Sequence, residues 1–347
     1  MLVLYHIASR RIYTKGMRFG LFTTLALLLP IIASAQALGG SLGGAENGSF
    51  SVSVNPQYPA PYIQATLSFL SNSLDLTSAA MTITTTGKKI YQGTVQPVAI
   101  QLGPAGSITT VGVTITSGGA SYSQTVRVQP QDVVLIAEPI SSAPPLYLGK
   151  PLVPLEGSVR IVAMANLKNV GGRSFDPNTS SYAWTVDGTH IANSSGVGKK
   201  AIIVASPLQY RARDVSVAVV SSDGMLVGGD SLSLTAIEPS VRIYENDSLL
   251  GIRFDRAISN QHAITGAEAT LYAAPFSLST TNGAPLLQWF LNGVAVQTGS
   301  SITLRPTGNG QGSASLSFVA SSGDYAKATT NLSISFGAKP GTNFFGL

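Results

Sequence analysis

The sequence lacks cysteine and has few charged residues, and each shortage excludes a class of protein. Without cysteine, the 347-residue chain cannot form disulfides, thiolate zinc sites or a cysteine nucleophile. Charged residues make up 11% of the chain, less than half of the ~25% that is usual in globular domains. Apolar residues still make up 44%. The composition therefore indicates folded domains that are stabilised by burial, not a disordered chain.

The positive charge is concentrated near the N-terminus. Arg10, Arg11, Lys15 and Arg18 lie in the first 35 residues, which contain no acid. Removing these four from the 21 basic residues leaves 17 against 16 acidic ones, although the whole chain has a formal net charge of +5. A nearly neutral surface lacks the attraction that drives nucleic-acid binding, so we expect no nucleic-acid partner.

The first 37 residues have the pattern of an export signal. After the basic cluster, and after a second possible start at Met17, an apolar run leads to small residues that end in Ala35 and Ala37. This order predicts a secretory signal peptide that is cleaved after Ala35 or Ala37. The apolar run of ~15 residues is shorter than the ~20 that a membrane span needs. The alternative is an uncleaved N-terminal anchor, which would still place the remaining chain outside the cell.

One short pattern recurs three times at intervals of about one hundred residues. A tryptophan is followed four residues later by glycine, and three residues after that by a β-branched residue. A weaker copy has isoleucine in place of tryptophan, and the anchors lie 101 and 105 residues apart. The three copies are Ile83, Gly87 and Ile90; Trp184, Gly188 and Ile191; and Trp289, Gly293 and Val296. Such a period indicates repeated structural units.

Alternating apolar and polar residues follow each copy and predict paired β-strands. In the first copy, Val111, Val113 and Ile115 alternate with smaller or polar residues before a Gly-Gly turn. The other two copies continue in the same way, and no stretch after the leader has helical periodicity. This rhythm is typical of half-buried antiparallel strands.

The repeats resemble immunoglobulin-like and PKD-like repeats of bacterial surface proteins. Residues 287–296 are similar to an immunoglobulin strand C entering its turn. Residues 182–189 are similar to the PKD motif, although they lack its Trp-Asp-Phe-Gly-Asp-Gly order. The resemblance implies an all-β chain of tandem immunoglobulin-like antiparallel β-sandwiches after the N-terminal segment. In such sandwiches we expect Ile83, Trp184 and Trp289 to be core anchors.

The repeat boundaries predict a string of three domains. Ala137-Glu138-Pro139 recurs as Ile237-Glu238-Pro239, and proline at such a joint would make it semi-rigid. We therefore expect independently folding domains in an elongated particle. The predicted segments are a signal peptide or anchor (1–37), a Gly-rich linker (38–49), three domains (50–137, 138–237 and 238–336) and a tail (337–347).

No set of residues has the spacing of a catalytic or metal site. Gly39-Gly40-Ser41-Leu42-Gly43 matches the G-x-S-x-G nucleophile elbow, but it lies in the Gly-rich linker and not between a strand and a helix. His190 and His262 lie in polar turns without metal-ligand spacing. We therefore expect no enzyme activity, no cofactor and no metal.

Several weaker candidates remain, and each also has an ordinary structural interpretation. Glu245-Asn246-Asp247-Ser248 and Asp223-Gly224 could bind calcium or could cap local turns. Lys88-Lys89 and Lys199-Lys200 are expected at strand edges or turns. Phe344-Phe345-Gly346-Leu347 could dock on a partner, dock on the last domain or fray. Tyrosines that could stack on sugars or pack on a sheet are Tyr58, Tyr62, Tyr91, Tyr122 and Tyr147.

Two functional hypotheses follow. The first is an exported, non-catalytic structural or adhesive stalk with a protein or glycan partner at the cell surface. The alternative is an accessory binding subunit, carbohydrate-binding or associated with a pilus or secretion machine. In either case we expect an extracellular or cell-surface location, with membrane contact only through an uncleaved N-terminal segment. Fold alone does not decide between the two.

Overall fold

The computed structural model describes residues 50–145, 147–307, 310–323 and 326–337, and these residues are mostly β-strand. The all-β prediction is therefore confirmed. The only helix in this described part is a three-residue 3-10 turn at Ala192–Ser194. No helix there has the length and apolar character of a membrane span.

Three predictions fall outside the described residues. They are the leader with its cleavage sites at Ala35 and Ala37, the G-x-S-x-G match in the linker (38–49), and the tail after Gly337.

The first domain is a sandwich of a three-stranded and a four-stranded sheet. One sheet has the order β1-β2-β5 and the other β4-β3-β6-β7. Apolar residues on the facing sides form a separate core that includes Leu67, Ile83 and Val113. The strands are β1 (Ser51–Asn55), β2 (Gln64–Leu70), β3 (Ala80–Thr85), β4 (Lys88–Thr94), β5 (Val98–Gln101), β6 (Thr109–Ser117) and β7 (Ala120–Val128).

The second domain repeats this arrangement around its own core. The core includes Ile161, Trp184 and Val217. Its strands are β8 (Asp132–Pro139), β9 (Ser158–Asn166), β10 (Ser181–Val186), β11 (Thr189–His190), β12 (Gly196–Val197), β13 (Ala201–Ala205), β14 (Ala212–Val220) and β15 (Val227–Thr235). One sheet has the order β13-β9-β8. The other has the order β11-β10-β14-β15, and β12 also pairs with β10.

The third domain has larger sheets and a third core, which includes Leu271, Trp289 and Phe318. Its strands are β16 (Ser240–Asp247), β17 (Gly251–Ile258), β18 (Gln261–Ile264), β19 (Ala269–Phe276), β20 (Leu286–Leu291), β21 (Val294–Thr298), β22 (Ser301–Leu304), β23 (Gly312–Ser322) and β24 (Ala326–Phe336). The sheet orders are β17-β16-β19-β22 and β18-β24-β23-β20-β21. One pair, β18 with β24, is parallel.

The sequence repeat corresponds to one structural hairpin in all three domains. Strands β3, β10 and β20 are each six residues long, and the anchor is the fourth residue. Ile83 pairs with Val113, Trp184 with Val217, and Trp289 with Phe318.

The glycine of the repeat closes the turn after the anchor strand. The turn residues Thr86-Gly87, Asp187-Gly188 and Asn292-Gly293 all have positive φ. A two-residue hairpin turn of this kind requires left-handed backbone at both positions, which glycine adopts without steric cost. The β-branched residue of the pattern is not a core position in every copy, because Ile90 and Val296 are exposed.

The first domain boundary differs from the predicted one. Glu138 and Pro139 do not form a joint; they end β8 and pair with Arg160 and Val159 of β9. The second domain therefore begins at Asp132, not at residue 138. Glu238 and Pro239, in contrast, lie in the irregular segment between β15 and β16.

Candidate functional site

The first joint, between domains one and two, is built around a buried glutamine. Gln131 is 3% exposed and lies between β7 and β8. Its Nε2 donates to the carbonyl of Lys168 at 3.0 Å, and its Oε1 accepts from the Lys168 N–H at 2.8 Å. Its own N–H donates to the carbonyl of Pro59 in the first domain at 3.3 Å. One residue thus connects loops of both domains.

Tyr58 fills the other side of this joint. A Cβ on Gly229 of β15 would lie 2.5 Å from Cδ2 of Tyr58, so the ring lies directly against the glycine backbone. Burial raises the pKa of the Tyr58 hydroxyl. This contact places Tyr58 in the joint.

The second joint, between domains two and three, is a dense set of hydrogen bonds. Ser277 is fully buried, and its Oγ lies 3.2 Å from the carbonyl of Val153 and 2.9 Å from that of Ile237. The Ser142 N–H donates to the carbonyl of Leu278 at 2.7 Å, and the Ser142 carbonyl accepts from the Ser277 N–H at 3.1 Å. The segment after β8 is thereby held against the third domain.

We expect Ser277→Ala to weaken this joint by about 1 kcal/mol, because the carbonyls of Val153 and Ile237 lose the hydroxyl hydrogen that they share. Urea unfolding followed by tryptophan emission measures the change. Ser233→Ala, at an exposed serine on β15, is the matched control and should change stability by less than about 0.5 kcal/mol. Equal effects of the two substitutions would contradict a role for Ser277 in the joint.

An aromatic groove lies beside the second joint. Its volume is about 470 Å³, and it separates the segment after β8 from the outer face of the sheet that contains β16, β17 and β19. The lining residues are Pro144, Pro145, Tyr147, Leu148, Leu152, Ser240, Arg242, Tyr244, Phe254 and Phe276. We call this feature the aromatic groove.

Strand alternation explains why the groove residues of β16 face away from the core. Val241 and Ile243 of β16 pack in the core of the third domain, so Arg242 and Tyr244 point to the opposite face. A register shift between Tyr244 and Asn246 marks a bulge next to the groove. Bulges of this kind redirect side chains on an edge strand, and β17 is such an edge.

Edge-to-face ring pairs form the walls of the groove. Tyr147 meets Phe276 with ring centroids 5.6 Å apart, and Tyr244 meets Phe254 at 5.2 Å. Phe254 also meets Tyr272 at 6.0 Å. Tyr147 and Leu148 are exposed at the rim, and Phe254 is 36% exposed. The groove therefore offers accessible apolar surface on a rigid aromatic base.

Arg242 is the cation of the groove. It is exposed, and it is absent from the ion pairs formed among the described residues. An exposed guanidinium can stack on an aromatic ring or pair with an anion. The groove can therefore bind an apolar or aromatic group and interact with it electrostatically.

The two predicted histidines lie in different domains. His190 lies on β11 of the second domain and His262 on β18 of the third. Among the described residues, no group of three His, Cys, Asp or Glu side chains could hold a metal.

The two calcium candidates cap local backbone. Asp247 accepts from the N–H groups of Leu250 and Leu249, and these bonds lower the pKa of its carboxyl. Asp223 accepts from the Ser221 hydroxyl and the Met225 N–H, with the same effect on its pKa.

The other tyrosine and lysine candidates are dispersed. Tyr62, Tyr91 and Tyr122 are in the first domain, and within the described part of the chain none of them contacts another aromatic ring. Lys88 and Lys89 lie on β4, an edge strand. Lys200 donates to Asn178, and the carbonyl of Lys199 accepts the Trp184 indole N–H.

Only Tyr147 of the predicted sugar-stacking residues lies in the groove. Sequence reasoning missed Tyr244, Phe254 and Phe276. Alternation alone turns Tyr244 outward, but the groove also requires the bulge beside Phe254 and the segment after β8 that forms the opposite wall. The available signal was the apolar composition of the segment around Pro144 and Leu148, in a chain whose loops are otherwise polar.

Comparison with known proteins gives similarity only among solved structures. No protein-family model and no curated protein sequence matches the chain. Three N-terminal domains of the Highly Immunogenic Outer Capsid protein (Hoc) of bacteriophage RB49 match 84% of this chain and 100% of that chain, at 12% identity and a TM-score of 0.22.

Two further matches are fibronectin(III)-like modules. Those of Clostridium thermocellum CbhA match 58% of this chain and 93% of that chain, at 13% identity and a TM-score of 0.23. The central fibronectin-III array of RIM-binding protein matches 80% of this chain and 92% of that chain, at 8% identity and a TM-score of 0.25. At these TM-scores the fold assignment rests on the strand pairing described above. The described residues form a tandem array of three β-sandwich domains.

Proposed function

We propose that this chain is an exported, non-catalytic array of immunoglobulin-like domains that acts as a structural or adhesive stalk at the cell surface. The observation that carries the proposal is that three separate hydrophobic cores are connected by two joints, each containing buried hydrogen bonds. Gln131 holds the first joint and Ser277 the second, each through hydrogen bonds to main-chain groups across the boundary. A chain that only tethered independent domains would not require such buried polar contacts.

The proposal that the chain is exported rests on the sequence. The basic flank, the apolar run and the small residues at Ala33 and Ala35 are typical of a secretory leader. Kinship with PKD-like repeats of bacterial surface proteins is also proposed on the sequence motifs alone.

We expect the mature protein to begin at Gln36 or Leu38 and to be found outside the cytoplasm. Cell fractionation with N-terminal sequencing checks both points, and protease added to intact cells then tests surface exposure. An intact leader on soluble cytoplasmic protein would refute export. Shielding from protease in intact cells would refute display at the surface.

The aromatic groove favours a second candidate function, an accessory binding subunit of an exported machine. Exposed tyrosine and phenylalanine rings are suited to ligand binding, and so is the nearby Arg242, which forms no ion pair with the described residues. A glycan array separates carbohydrate binding from a spacer role. If a glycan binds and Phe254→Ala abolishes the signal, the accessory role is favoured. If no glycan binds, the stalk remains the better proposal.

A further inference from the structure

The aromatic groove places one positive charge between aromatic rings. On the outer face of the sheet, Arg242 of β16 pairs with Ala274 of β19. The next positions on that face of β19, two residues away in either direction, are Tyr272 and Phe276. Residues two apart on a strand are about 6.7 Å apart along it. Arg242 therefore lies between a ring at each end of the groove.

No side chain in the walls of the groove offsets this positive charge. The described lining residues include no aspartate and no glutamate. Arg242 is exposed, and it forms no ion pair with the described residues. An anion in the groove is attracted by the guanidinium without repulsion from a carboxylate in the walls, and the apolar rings strengthen this attraction. Charge complementarity therefore favours a negatively charged ligand.

We propose that the aromatic groove binds an aromatic anion, a flat ring system that carries one carboxylate or sulfonate group. The ligand's rings pack against Tyr147 and Phe254, and its anionic group accepts hydrogen bonds from Arg242. The groove volume of about 470 Å³ lies within the range of small-ligand sites, ~300–1,000 Å³. This inference goes beyond the stalk function and does not depend on export, so the two stand or fall separately.

A neutral sugar matches the groove less well than an aromatic anion. Apart from Arg242, the lining side chains that can form hydrogen bonds are Ser240, Tyr147 and Tyr244, and Tyr244 is only 6% exposed. A sugar ring has hydroxyl groups around its whole edge, and each hydroxyl that loses water without gaining a partner opposes binding. An aromatic anion requires only ring surface and one cation, which the groove provides.

The test compares two fluorescent dyes that share the same rings and differ in charge. Anilinonaphthalene sulfonate carries one sulfonate, and phenylnaphthylamine is the same ring system without it. Both dyes emit more strongly in apolar surroundings, so titration of the full chain measures their affinities. We expect saturable binding of the sulfonate dye.

Arg242→Gln should separate the two dyes. The substitution removes the charge, so the sulfonate dye should bind about tenfold more weakly, whereas the affinity for the neutral dye should change less than about twofold. Arg127→Gln, at an exposed arginine on β7 of the first domain, is the matched control and should change neither affinity.

Removal of a ring from either wall should instead weaken both dyes. Phe254→Ala and Tyr147→Ala should each lower both affinities about fivefold or more, because the two dyes share their ring contacts. Tyr210→Ala, at a tyrosine that is 90% exposed in the second domain, is the control. Circular dichroism and tryptophan emission check the folding of each variant, since Trp184 and Trp289 are both core residues.

Competition extends the test from the dyes to carboxylates. Naphthoate should displace the sulfonate dye, and the neutral naphthalene methanol should need a concentration about tenfold higher, because it cannot pair with Arg242. Absence of saturable binding of the sulfonate dye, or equal losses of the two dyes in Arg242→Gln, would overturn the proposal. Displacement by the neutral sugar cellotriose but not by naphthoate would assign the groove to sugars, which also contradicts it.

Discussion

Replacing Trp184 by alanine should destabilise the second domain by about 3–5 kcal/mol, the cost of truncating a large buried aromatic side chain. Trp184 has no exposed surface, and it fills the space between the two sheets of that domain. Its Nε1 also donates to the carbonyl of Lys199 at 2.8 Å. The substitution therefore leaves both a cavity and an unpaired carbonyl.

The chain provides its own reporter for this experiment, because it contains two tryptophans and each lies in a different core. In the Trp184→Ala variant, emission comes from Trp289 alone and reports the third domain. Circular dichroism follows the whole chain. We expect unfolding followed by circular dichroism to show an additional transition under milder conditions, from the second domain. The midpoint of unfolding followed by Trp289 emission should shift much less.

The reciprocal substitution, Trp289→Ala, should show the same behaviour in the third domain. Trp289 is also fully buried, its Nε1 donates to the Gly299 carbonyl at 3.0 Å, and its ring lies 4.6 Å from that of Phe318. Tyr210→Ala, at an exposed aromatic, is the control and should be nearly neutral. Unchanged stability in either tryptophan variant would show that the repeat does not mark a core anchor.

Replacing Gly106 by alanine should open the first joint. Gly106 has a φ of +83°, and a Cβ there would lie 2.6 Å from the carbonyl oxygen of Lys168 and 2.5 Å from that of Asn169. Both are main-chain atoms of the second domain, so relief of the clash requires movement of the two loops. We expect a loss of about 2–4 kcal/mol, from left-handed backbone strain and from overpacking.

Gly119→Ala separates these two causes. Gly119 has a φ of +82°, almost the same as Gly106, but a Cβ there meets nothing within 4 Å. It should therefore show only the backbone cost of about 1 kcal/mol. Differential scanning calorimetry measures the stability of both variants. Limited proteolysis near residues 129–131 should show faster cleavage for Gly106→Ala alone. Equal cleavage of the two variants would contradict a tight joint at Gly106.

Local chemistry explains why the repeated hairpins could be predicted. A large apolar residue on an alternating strand, followed by a residue and a glycine that both tolerate positive φ, specifies a buried strand and its turn with little help from distant residues. The pattern holds at Ile83, Trp184 and Trp289, with Gly87, Gly188 and Gly293 in equivalent turns. The alternation of apolar and polar residues on either side of each hairpin predicts the all-β fold class.

The first boundary could not be read from the same kind of local pattern. Glu138-Pro139 and Glu238-Pro239 are identical dipeptides, yet the first pair ends a strand and the second pair lies between domains. Proline is tolerated at the end of β8 because β8 is an edge strand, where a missing N–H does not break a central ladder. The position of an edge depends on the whole sheet, which a dipeptide does not encode.

The sequence by itself determined the all-β class, the three anchor hairpins and the absence of thiol chemistry, because alternation, turn residues and composition act over short distances. The tertiary structure alone decided the joints and the aromatic groove. Tyr147, Arg242, Phe254 and Phe276 come from four separate segments, and they meet only because Ser142 and Ser277 hold one domain's loop against the next domain's sheet. Contacts between residues so far apart in the chain depend on how complete sheets pack, and no local pattern specifies that packing.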